Sequence, residues 1–474
     1  MPLGLSQGIV TFVLGSVSRR RTLVALSIYD SSGEFMNRRD FCICSLGAVS
    51  LNVGTQWNPG FATASVTQPS GSLPPIRAIT RGPRFHWRGY YDKDLFDPSD
   101  RYVLANEIDF EGRTPNENDV LRVGMIDLQD NDAWTELGTT TAWNWQQGCM
   151  LQWLPGDKPS VLWNDRQDGN FVSKILTVAD GSLRILPMPI YCVSPDGLWG
   201  LSVDFRRLND CRPGYGYAGI ADPYADRSAP DETGIWRVDL RTGASRLLLS
   251  YAQIAAMEYR NDVKLQFDPA RSKHWFNHLL IAPDGKRFLF LHRWRETPAD
   301  ATREKLSKTG FSTRMWTANE DGSDLHVVDP YGKTSHFVWR DATTICAWAW
   351  HPSHLERFYL YEDQSSRVSV VGPDVMTANG HNTYLPGMNN DWILNDTYPD
   401  KGREQHPYLF QVSTGRRVPL AHLLSPAKYQ GEFRCDNHPS ASRDGKSVVV
   451  DSTHGGNGRQ VYLIDVASIV AQQE

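Results

Sequence analysis

The chain has 474 residues, 40% of them hydrophobic and 22% charged, which is the composition of a folded globular protein and argues against wholesale disorder. Its 49 Lys and Arg against 54 Asp and Glu give a net charge of −5, so it has no strong basic field to hold nucleic acid. The 16 Trp, 38 Gly and 28 Pro predict short strands joined by frequent turns.

The N-terminal sequence has the features of an export signal. Arg38-Arg39 precedes an apolar run over 41–53, and a small-x-small site follows at Ala62-Thr63-Ala64. These features are typical of a twin-arginine secretory signal that starts at Met36. A membrane anchor is the weaker alternative, because the run is too short to span a bilayer. We therefore expect a periplasmic or secreted protein with no membrane segment after signal removal.

Five of the seven cysteines lie beyond the predicted signal, and none forms a C-x-x-C pair. Their scattered spacing favours buried structural thiols, with a single disulfide as the alternative, over a zinc cluster. These residues are Cys149, Cys192, Cys211, Cys346 and Cys435.

One unit recurs from His86 onward. It begins with a tight turn such as Ser194-Pro195-Asp196-Gly197 or Ala282-Pro283-Asp284-Gly285, followed by a short apolar strand and later a second strand that ends in Asp. Pro presets φ and Gly accepts positive φ, so Pro-Asp-Gly suits such turns. Strand, turn and strand at a period of roughly 40 to 60 residues are typical of propeller blades.

The repeat predicts an all-β fold, a seven-bladed β-propeller, with a hairpin-rich β-sandwich as the alternative. The predicted units are 85–140, 143–188, 190–250, 275–330, 334–374, 378–422 and 431–468, with short helices at 250–259 and 298–306. The predicted organisation is an extension (1–35), a signal peptide (36–64), a linker (65–84), the propeller domain (85–468) and a C-terminal tail (469–474).

Four histidines share one position in successive units, at or just before the first strand. They are His278, His336, His381 and His438. Because the first strand of a blade lines the central channel, we expect them to converge there. Asp436 stands two residues before His438 and faces the same side of an extended chain, so the set can bind a divalent ion such as Zn²⁺ or Mn²⁺. A channel histidine outside the metal shell can act as a general base.

Other candidates are cationic and aromatic. In the Gly-rich stretch Arg212–Tyr217, Arg212 can hold a carboxylate, and Tyr215 and Tyr217 can contact a sugar; a plain turn with packed tyrosines is the alternative. Arg314 is a further catalytic candidate. Three residues are candidates for substrate binding, namely His86, His381 and Arg434.

The C-terminal half resembles the seven-bladed propeller lyases typified by oligogalacturonate lyase. The resemblance is carried by four stretches: Trp275-Phe276-Asn277-His278, Thr313-Arg314-Met315-Trp316 with Asn319–Asp324, Thr334–Trp339, and Asp436-Asn437-His438-Pro439-Ser440. The resemblance extends over about 85–468, but its distinctive motifs lie from 275 onward. It implies β-elimination on uronate oligosaccharides with a Mn²⁺-type ion in the channel.

The resemblance also implies individual roles. It places His278 at the catalytic base and His336 and His438 at metal ligands. The sequence departs from the family pattern at Asp436, where the family has another His, and at Phe433 and Arg434, where the family has a Gln ligand. A carboxylate in place of an imidazole makes the site harder and favours Mn²⁺ or Ca²⁺ over Zn²⁺.

The implied reaction removes the proton at C5 of a uronate while an Arg and a cation stabilise the enediolate. His278 is the expected base, with Tyr215 or Tyr217 as alternatives. Two other functions stay open. A propeller glycoside hydrolase would need two carboxylates at one bond, and Asp396, Asp436 and Glu432 are the few candidates. A non-catalytic sugar-binding or protein-binding propeller would need neither His278 nor a metal.

Overall fold

The computed structural model describes residues 72–260, 263–298 and 301–471. They form seven four-stranded antiparallel sheets, and the chain visits the sheets one after another. This is a seven-bladed β-propeller, so the predicted fold class is confirmed. The predicted extension and signal peptide lie outside the described residues.

Each blade is numbered in chain order, and its strands are given from first to fourth. Blade 1 contains Phe85–Trp87, Tyr102–Ile108, Leu121–Asp127 and Ala133–Thr140. Blade 2 contains Gln152–Leu154, Ser160–Gln167, Asn170–Thr177 and Leu183–Leu186. Blade 3 contains Cys192–Val193, Trp199–Val203, Gly234–Asp239 and Ser245–Ser250. Blade 4 contains Lys273–Ile281, Arg287–Arg295, Ser312–Asn319 and His326–Gly332.

The remaining three blades follow the same plan. Blade 5 contains Phe337–Trp339, Thr344–His351, Leu355–Glu362 and Val368–Val371. Blade 6 contains Thr383–Tyr384, Trp392–Asn395, Tyr408–Gln411 and Arg417–Pro419. Blade 7 contains Ser440–Ala441, Ser447–Ser452, Gln460–Asp465 and Ile76–Ala78. A separate two-stranded ribbon beside blade 6 pairs Glu404–Gln405 with Leu423–Leu424.

Blade 7 combines the two ends of the described chain. Its fourth strand, Ile76–Ala78, pairs antiparallel with Gln460–Asp465. This strand lies inside the segment 65–84, which the sequence predicts to be a linker, so part of that segment belongs to the propeller. Backbone hydrogen bonds between distant parts of the chain thereby close the ring.

Helix is scarce, as the sequence predicts. The helices are Phe205–Cys211, Tyr251–Ala255, Arg303–Lys308 and Ala467–Val470, with 3₁₀ turns at Pro269–Arg271 and Gly431–Phe433. The second and third correspond to the predicted helices at 250–259 and 298–306. The first was missed; it begins at Asp204, whose carboxylate accepts from the amides of Arg206 and Arg207. Within the described part of the chain, no helix is long and apolar enough to cross a membrane.

Large aromatic side chains fill the space between blades. Trp87 packs against Trp143 and Trp145 with ring centroids 5.7 and 5.2 Å apart, and all three are almost fully buried. Such packing of flat side chains between sheets accounts for much of the tryptophan content. The five cysteines beyond the predicted signal are buried and unpaired, so the disulfide alternative finds no support among the described residues.

Arg88 joins the first blade to the last. It follows the first strand of blade 1, and its Nε donates to Asp451 Oδ1 of blade 7 at 3.0 Å. Its Nη2 donates to the carbonyls of Asn437 at 2.9 Å and His438 at 2.7 Å. The guanidinium is buried, so its hydrogen bonds take the place of water for Asp451 and for the two carbonyl groups.

We expect Arg88→Ala to lower the free energy of unfolding by about 3–5 kcal/mol, because it leaves the buried carboxylate of Asp451 without its cation. The matched control is Arg101→Ala, which removes a partly exposed pair with Asp127 and should lower the free energy of unfolding far less, because solvent screens such a pair. Chemical denaturation of both variants measures the difference. Equal costs would contradict a closing role for Arg88.

Candidate active site

The four predicted histidines meet at the centre of the propeller. His278 lies within the first strand of blade 4, and His336 directly precedes that of blade 5. His381 and His438 lie two residues before the first strands of blades 6 and 7. The ring of His381 is 4.1 Å from that of His336 and 4.3 Å from that of His438, measured between centroids. All four are buried, so the shared sequence position produces a shared location.

Local backbone distortions aim two of these side chains. His278 has φ of +53° and His438 has φ of +43°, values that non-glycine residues seldom adopt. At His278 the pairing with the second strand shifts between Asn277 and Leu280, which is a β-bulge. A bulge turns one side chain away from the regular alternation of a strand. The strand thereby directs His278 toward the channel.

Two tyrosines that the sequence analysis missed lie among the histidines. The Tyr90 ring stacks on His278 at 5.2 Å and meets His438 edge-on at 4.8 Å. Tyr91 lies 5.3 Å from His381, and its hydroxyl bonds to the backbone carbonyl and amide of Phe337. Gly89 precedes them with φ of +109°, and a Cβ there would lie 3.0 Å from the carbonyl oxygen of Gln147. A side chain at residue 89 would therefore displace the chain that delivers both tyrosines.

Three residues of the cluster can hold one metal ion. The ligand atoms of His381, Asp436 and His438 lie within 4.8 Å of one another. His381 Nε2, Asp436 Oδ1 and His438 Nε2 are all buried, and none has a hydrogen-bond partner in the described chain. Buried polar atoms without partners are costly, and here they come from three converging side chains. Two imidazoles and a carboxylate suit a divalent ion such as Mn²⁺ or Zn²⁺.

Neighbouring charges orient the three ligands. Asp396 accepts the backbone N–H of His381 at 2.7 Å and lies 3.0 Å from its Nδ1, so the Nε2 lone pair is left for a ligand. Arg434 Nε donates to Asp436 Oδ2 at 2.6 Å, so Oδ1 is the oxygen that remains unpaired. Arg434, predicted to bind substrate, therefore holds Asp436.

His336, a predicted metal ligand, stands beside this triad. Its Nδ1 is 2.9 Å from Asn379 Oδ1, and its Nε2 is 3.5 Å from the hydroxyl of Tyr398. Both ring nitrogens therefore have neighbours within hydrogen-bonding distance. His381, predicted to bind substrate, replaces His336 as the partner of Asp436 and His438.

A cavity of about 240 Å³ opens next to the cluster. Its lining includes His278 and His336 together with two residues of the Gly-rich stretch, Arg212 and Tyr215. The Tyr215 ring meets His278 edge-on at 5.6 Å, and its hydroxyl accepts from Arg434 Nη2 at 2.6 Å. The predicted base, one predicted tyrosine and one predicted arginine are thus brought together.

Two cations of the cavity lack acidic partners. Arg212 and Arg293 both line it, and no described Asp or Glu pairs with either guanidinium. They lie over Phe311, with their guanidinium carbons 4.8 and 4.5 Å from its ring centroid. Burial lowers the pKa of Arg293 to about 10, so it stays charged at neutral pH. A buried guanidinium, that of Arg293, and a half-buried one, that of Arg212, both without acidic partners, are suited to bind an anion.

Three histidines of the site, His278, His336 and His438, have lowered pKa values and are neutral near pH 7. Burial, followed by the nearby charge of Arg293, lowers the pKa of His278 well below its usual value. Burial lowers the pKa of His336 and of His438 as well, and His381 adds to both shifts. Neutral imidazoles are the form that binds metal and the form that accepts a proton.

Arg314 does not reach the cavity, although it was predicted to be catalytic. Its guanidinium donates to the carbonyls of Ile254 at 3.0 Å and Glu258 at 2.9 Å and covers the ring of Tyr259. The adjacent Thr313 does line the cavity, and neighbours in a strand face opposite sides. Arg314 therefore anchors the segment after the helix Tyr251–Ala255.

Tyr217 and His86 also lie elsewhere. Tyr217 stacks on Phe205 at 4.3 Å, and its hydroxyl accepts from Asn164 at 2.9 Å, which makes it part of the core. His86 lies between Glu107 and Gln460 at 3.1 and 3.0 Å and therefore has both ring nitrogens occupied. Neither contacts the histidine cluster.

No protein-family model matches the sequence, and no curated protein matches it. A solved oligogalacturonate lyase in complex with manganese is similar, with a TM-score of 0.59 and 17% identity over 84% of this chain and 94% of that chain. The oligogalacturonate lyase of Vibrio parahaemolyticus has a TM-score of 0.56 and 14% identity over 84% of this chain and 95% of that chain. A puromycin-hydrolyzing peptidase of Mycobacterium tuberculosis has a TM-score of 0.41 and 15% identity over 79% of this chain and 51% of that chain.

The chain is thus a seven-bladed propeller with a lyase-like fold. Oligogalacturonate lyases are among the proteins with which it shares that fold. The resemblance carried by the sequence is confirmed at the level of the fold.

Proposed function

We propose that the protein is a lyase that cleaves uronate-containing oligosaccharides by metal-assisted β-elimination, and that it acts after export. The observation that carries the proposal is one cavity in which unpaired arginines and a neutral histidine lie beside a potential metal triad. Export rests on the sequence features of 36–64 alone.

Arg212 and Arg293 would bind the uronate carboxylate. A guanidinium can donate two parallel hydrogen bonds to a carboxylate, and the cavity supplies two guanidinium groups without competing acids. Bound there, the carboxylate is held by positive charge, which lowers the cost of placing negative charge on the adjacent carbon. The near-neutral net charge of the chain makes such a local arrangement necessary for attracting an anionic sugar.

His278 would take the C5 proton. Its ring has no hydrogen bond to any described side chain, and its lowered pKa keeps it unprotonated and able to accept. Tyr215 lies across the same cavity and already accepts from Arg434, so its own hydroxyl proton is available for the departing sugar oxygen. One base and one acid on the same cavity satisfy the proton transfers of an elimination.

His381, Asp436 and His438 would hold a divalent ion, which we propose to be Mn²⁺. When bound, the ion supplies positive charge that stabilises an enediolate. The Asp among the ligands favours a harder ion than three imidazoles would. Asp396 and Arg434 keep the ligand atoms oriented, as their contacts show.

A glycoside hydrolase is less well supported. It requires two carboxyl groups that flank the bond, and none of the described residues lining the cavity is Asp or Glu. Asp396 is engaged with His381, and Glu432 forms an ion pair with Arg303 at 2.8 Å. The carboxylates that were hydrolase candidates therefore have structural or ligand-orienting contacts.

The proposal is tested by assaying the purified protein with Mn²⁺ on oligogalacturonate and on a neutral oligogalactan. We expect ultraviolet absorbance from an unsaturated product with the first substrate alone. Absence of this product from a panel of uronate oligosaccharides would contradict the proposal, and metal-free protein with full activity would contradict the role of the ion.

We expect Arg293→Met to lower kcat/KM on the uronate substrate by roughly 10- to 100-fold, since a hydrogen bond to a charged group contributes about 1.5–3 kcal/mol. The matched control is Arg237→Met, which removes a guanidinium that pairs with Glu320 instead. Steady-state kinetics on both variants make the comparison. Equal kinetics would show that Arg293 does not bind the carboxylate.

A further inference from the structure

A second group of metal-binding side chains lies on the ribbon beside blade 6. The strands Glu404–Gln405 and Leu423–Leu424 pair with Glu404 opposite Leu424 and Gln405 opposite Leu423. Continuing this register by one residue puts His406 opposite His422. Glu404 and His406 are two residues apart and so share a face, which places three ligand side chains on one side of the ribbon.

The side chains are in contact on that face. The ligand atoms of Glu404, His406 and His422 lie within 4.8 Å of one another. The Nδ1 atoms of the two histidines are 2.7 Å apart, which is within hydrogen-bonding distance. Two nitrogens bound to one tetrahedral Zn²⁺ ion lie about 3.3 Å apart, so a small opening of the pair admits the ion.

A fourth residue orients the pair. His406 Nε2 is 3.1 Å from Asp400 Oδ2, which leaves its Nδ1 lone pair directed at His422. A carboxylate behind a ligating imidazole is the common outer contact of protein zinc sites. Hydrogen bonds also hold the loop 397–405, which leads into the ribbon. Glu404 N donates to Asp400 Oδ1 at 3.0 Å, and His406 N donates to Thr397 Oγ1 at 3.1 Å.

We propose that Glu404, His406 and His422 form a second metal site, which binds Zn²⁺ and clamps the loop 397–405. Two imidazoles and one carboxylate can bind zinc with a fourth position open to water, and the short separation of the two imidazole nitrogens fits the compact tetrahedral geometry of Zn²⁺. The clamped loop begins beside Asp396, which orients His381, and includes Tyr398, which lines the cavity. This site is independent of the proposed lyase activity.

The test is calorimetric titration of Zn²⁺ into the full chain carrying His438→Asn, which disables the central triad. We expect one Zn²⁺ per chain, and we expect His422→Ala in the same background to weaken binding about tenfold or more. His354→Ala, which removes an exposed histidine elsewhere, is the matched control. Co²⁺ in place of Zn²⁺ should give the visible absorption of a tetrahedral site, and His422→Ala should remove it.

Two results would overturn the proposal: no Zn²⁺ bound by the His438→Asn chain, or binding that is unchanged by His422→Ala. If His438→Asn does not fold, the same comparison is made in the unmodified chain. We then expect the Zn²⁺ stoichiometry to fall by one with His422→Ala and to stay constant with His354→Ala.

Discussion

Replacing His278 with alanine should reduce kcat on a uronate oligosaccharide by about 10²- to 10⁴-fold while leaving KM within a few-fold of its original value. The imidazole faces the cavity without a hydrogen bond of its own, so it is free to move a proton in the transition state. Arg212 and Arg293, which we propose bind the substrate carboxylate, stay in place. Steady-state kinetics that follow the unsaturated product measure the change.

The positive φ of His278 makes a second variant necessary. His278 has φ of +53°, and alanine tolerates that conformation poorly, whereas asparagine adopts it more readily than most residues. His278→Asn therefore removes the base with less backbone strain and should show the same loss of kcat. If His278→Asn stays within threefold of the unmodified rate, the base assignment is wrong.

The pH profile supplies an independent readout for His278. A general base works in its neutral form, and burial lowers the pKa of this imidazole. Its protonation, and with it the loss of kcat/KM, should therefore occur well below the ordinary histidine value of about 6.5. An acid limb at or above that value would mean that another group accepts the proton.

Removing the divalent ion that we propose for His381, Asp436 and His438 should have the second largest effect. Dialysis against a chelator should lower kcat by at least about 100-fold, because a bound divalent ion contributes several kcal/mol of charge stabilisation. Adding Mn²⁺ should restore activity. In His438→Asn, which keeps a residue suited to φ of +43°, Mn²⁺ should neither bind stoichiometrically nor restore activity.

His351→Asn is the matched control, since this histidine lies outside the cluster and bonds to Ser353 at 2.8 Å. It should bind Mn²⁺ and turn over like the unmodified chain. Elemental analysis after gel filtration measures the stoichiometry. A chelated protein that keeps full activity would remove the ion from the reaction.

The repeating unit made the fold and the histidine cluster predictable. Pro-Asp-Gly turns in blades 3 and 4 and strands that end in Asp in blades 1, 3 and 7 reveal the repeat, and residues in one position of successive blades must approach one axis. His278, His336, His381 and His438 could therefore be placed together without any long-range information. The closing strand Ile76–Ala78 could not, because three residues carry too little pattern to identify a strand.

The rest of the site depends on which face of a strand a residue occupies. Arg293 and Thr313 pair directly across blade 4 and line the cavity, whereas Arg314 beside them points to the other side. Both faces of these strands are buried, so alternation of polar and apolar residues gives no guidance. The bulge at His278 and the approach of Tyr90 are likewise tertiary features, visible only after the blades have packed.

The sequence also could not show which of Tyr215 and Tyr217 lies on the cavity. The two stand in one Gly-rich stretch, and Gly216 between them packs so closely on the helix Phe205–Cys211 that a Cβ would lie 2.1 Å from the amide nitrogen of Asn209. This contact turns Tyr217 into the core beside Phe205 and leaves Tyr215 on the cavity. A stacking role for either was equally compatible with the sequence.

Elimination and hydrolysis give products of different mass, so the masses of the products distinguish the two reactions. Mass spectrometry of a defined oligogalacturonate after complete digestion with the Mn²⁺-loaded protein should give fragments whose masses sum to that of the substrate, with every fragment unsaturated except the one that carries the original non-reducing end. Fragments whose masses sum to the substrate plus one water per cleavage would show hydrolysis and contradict the proposed lyase.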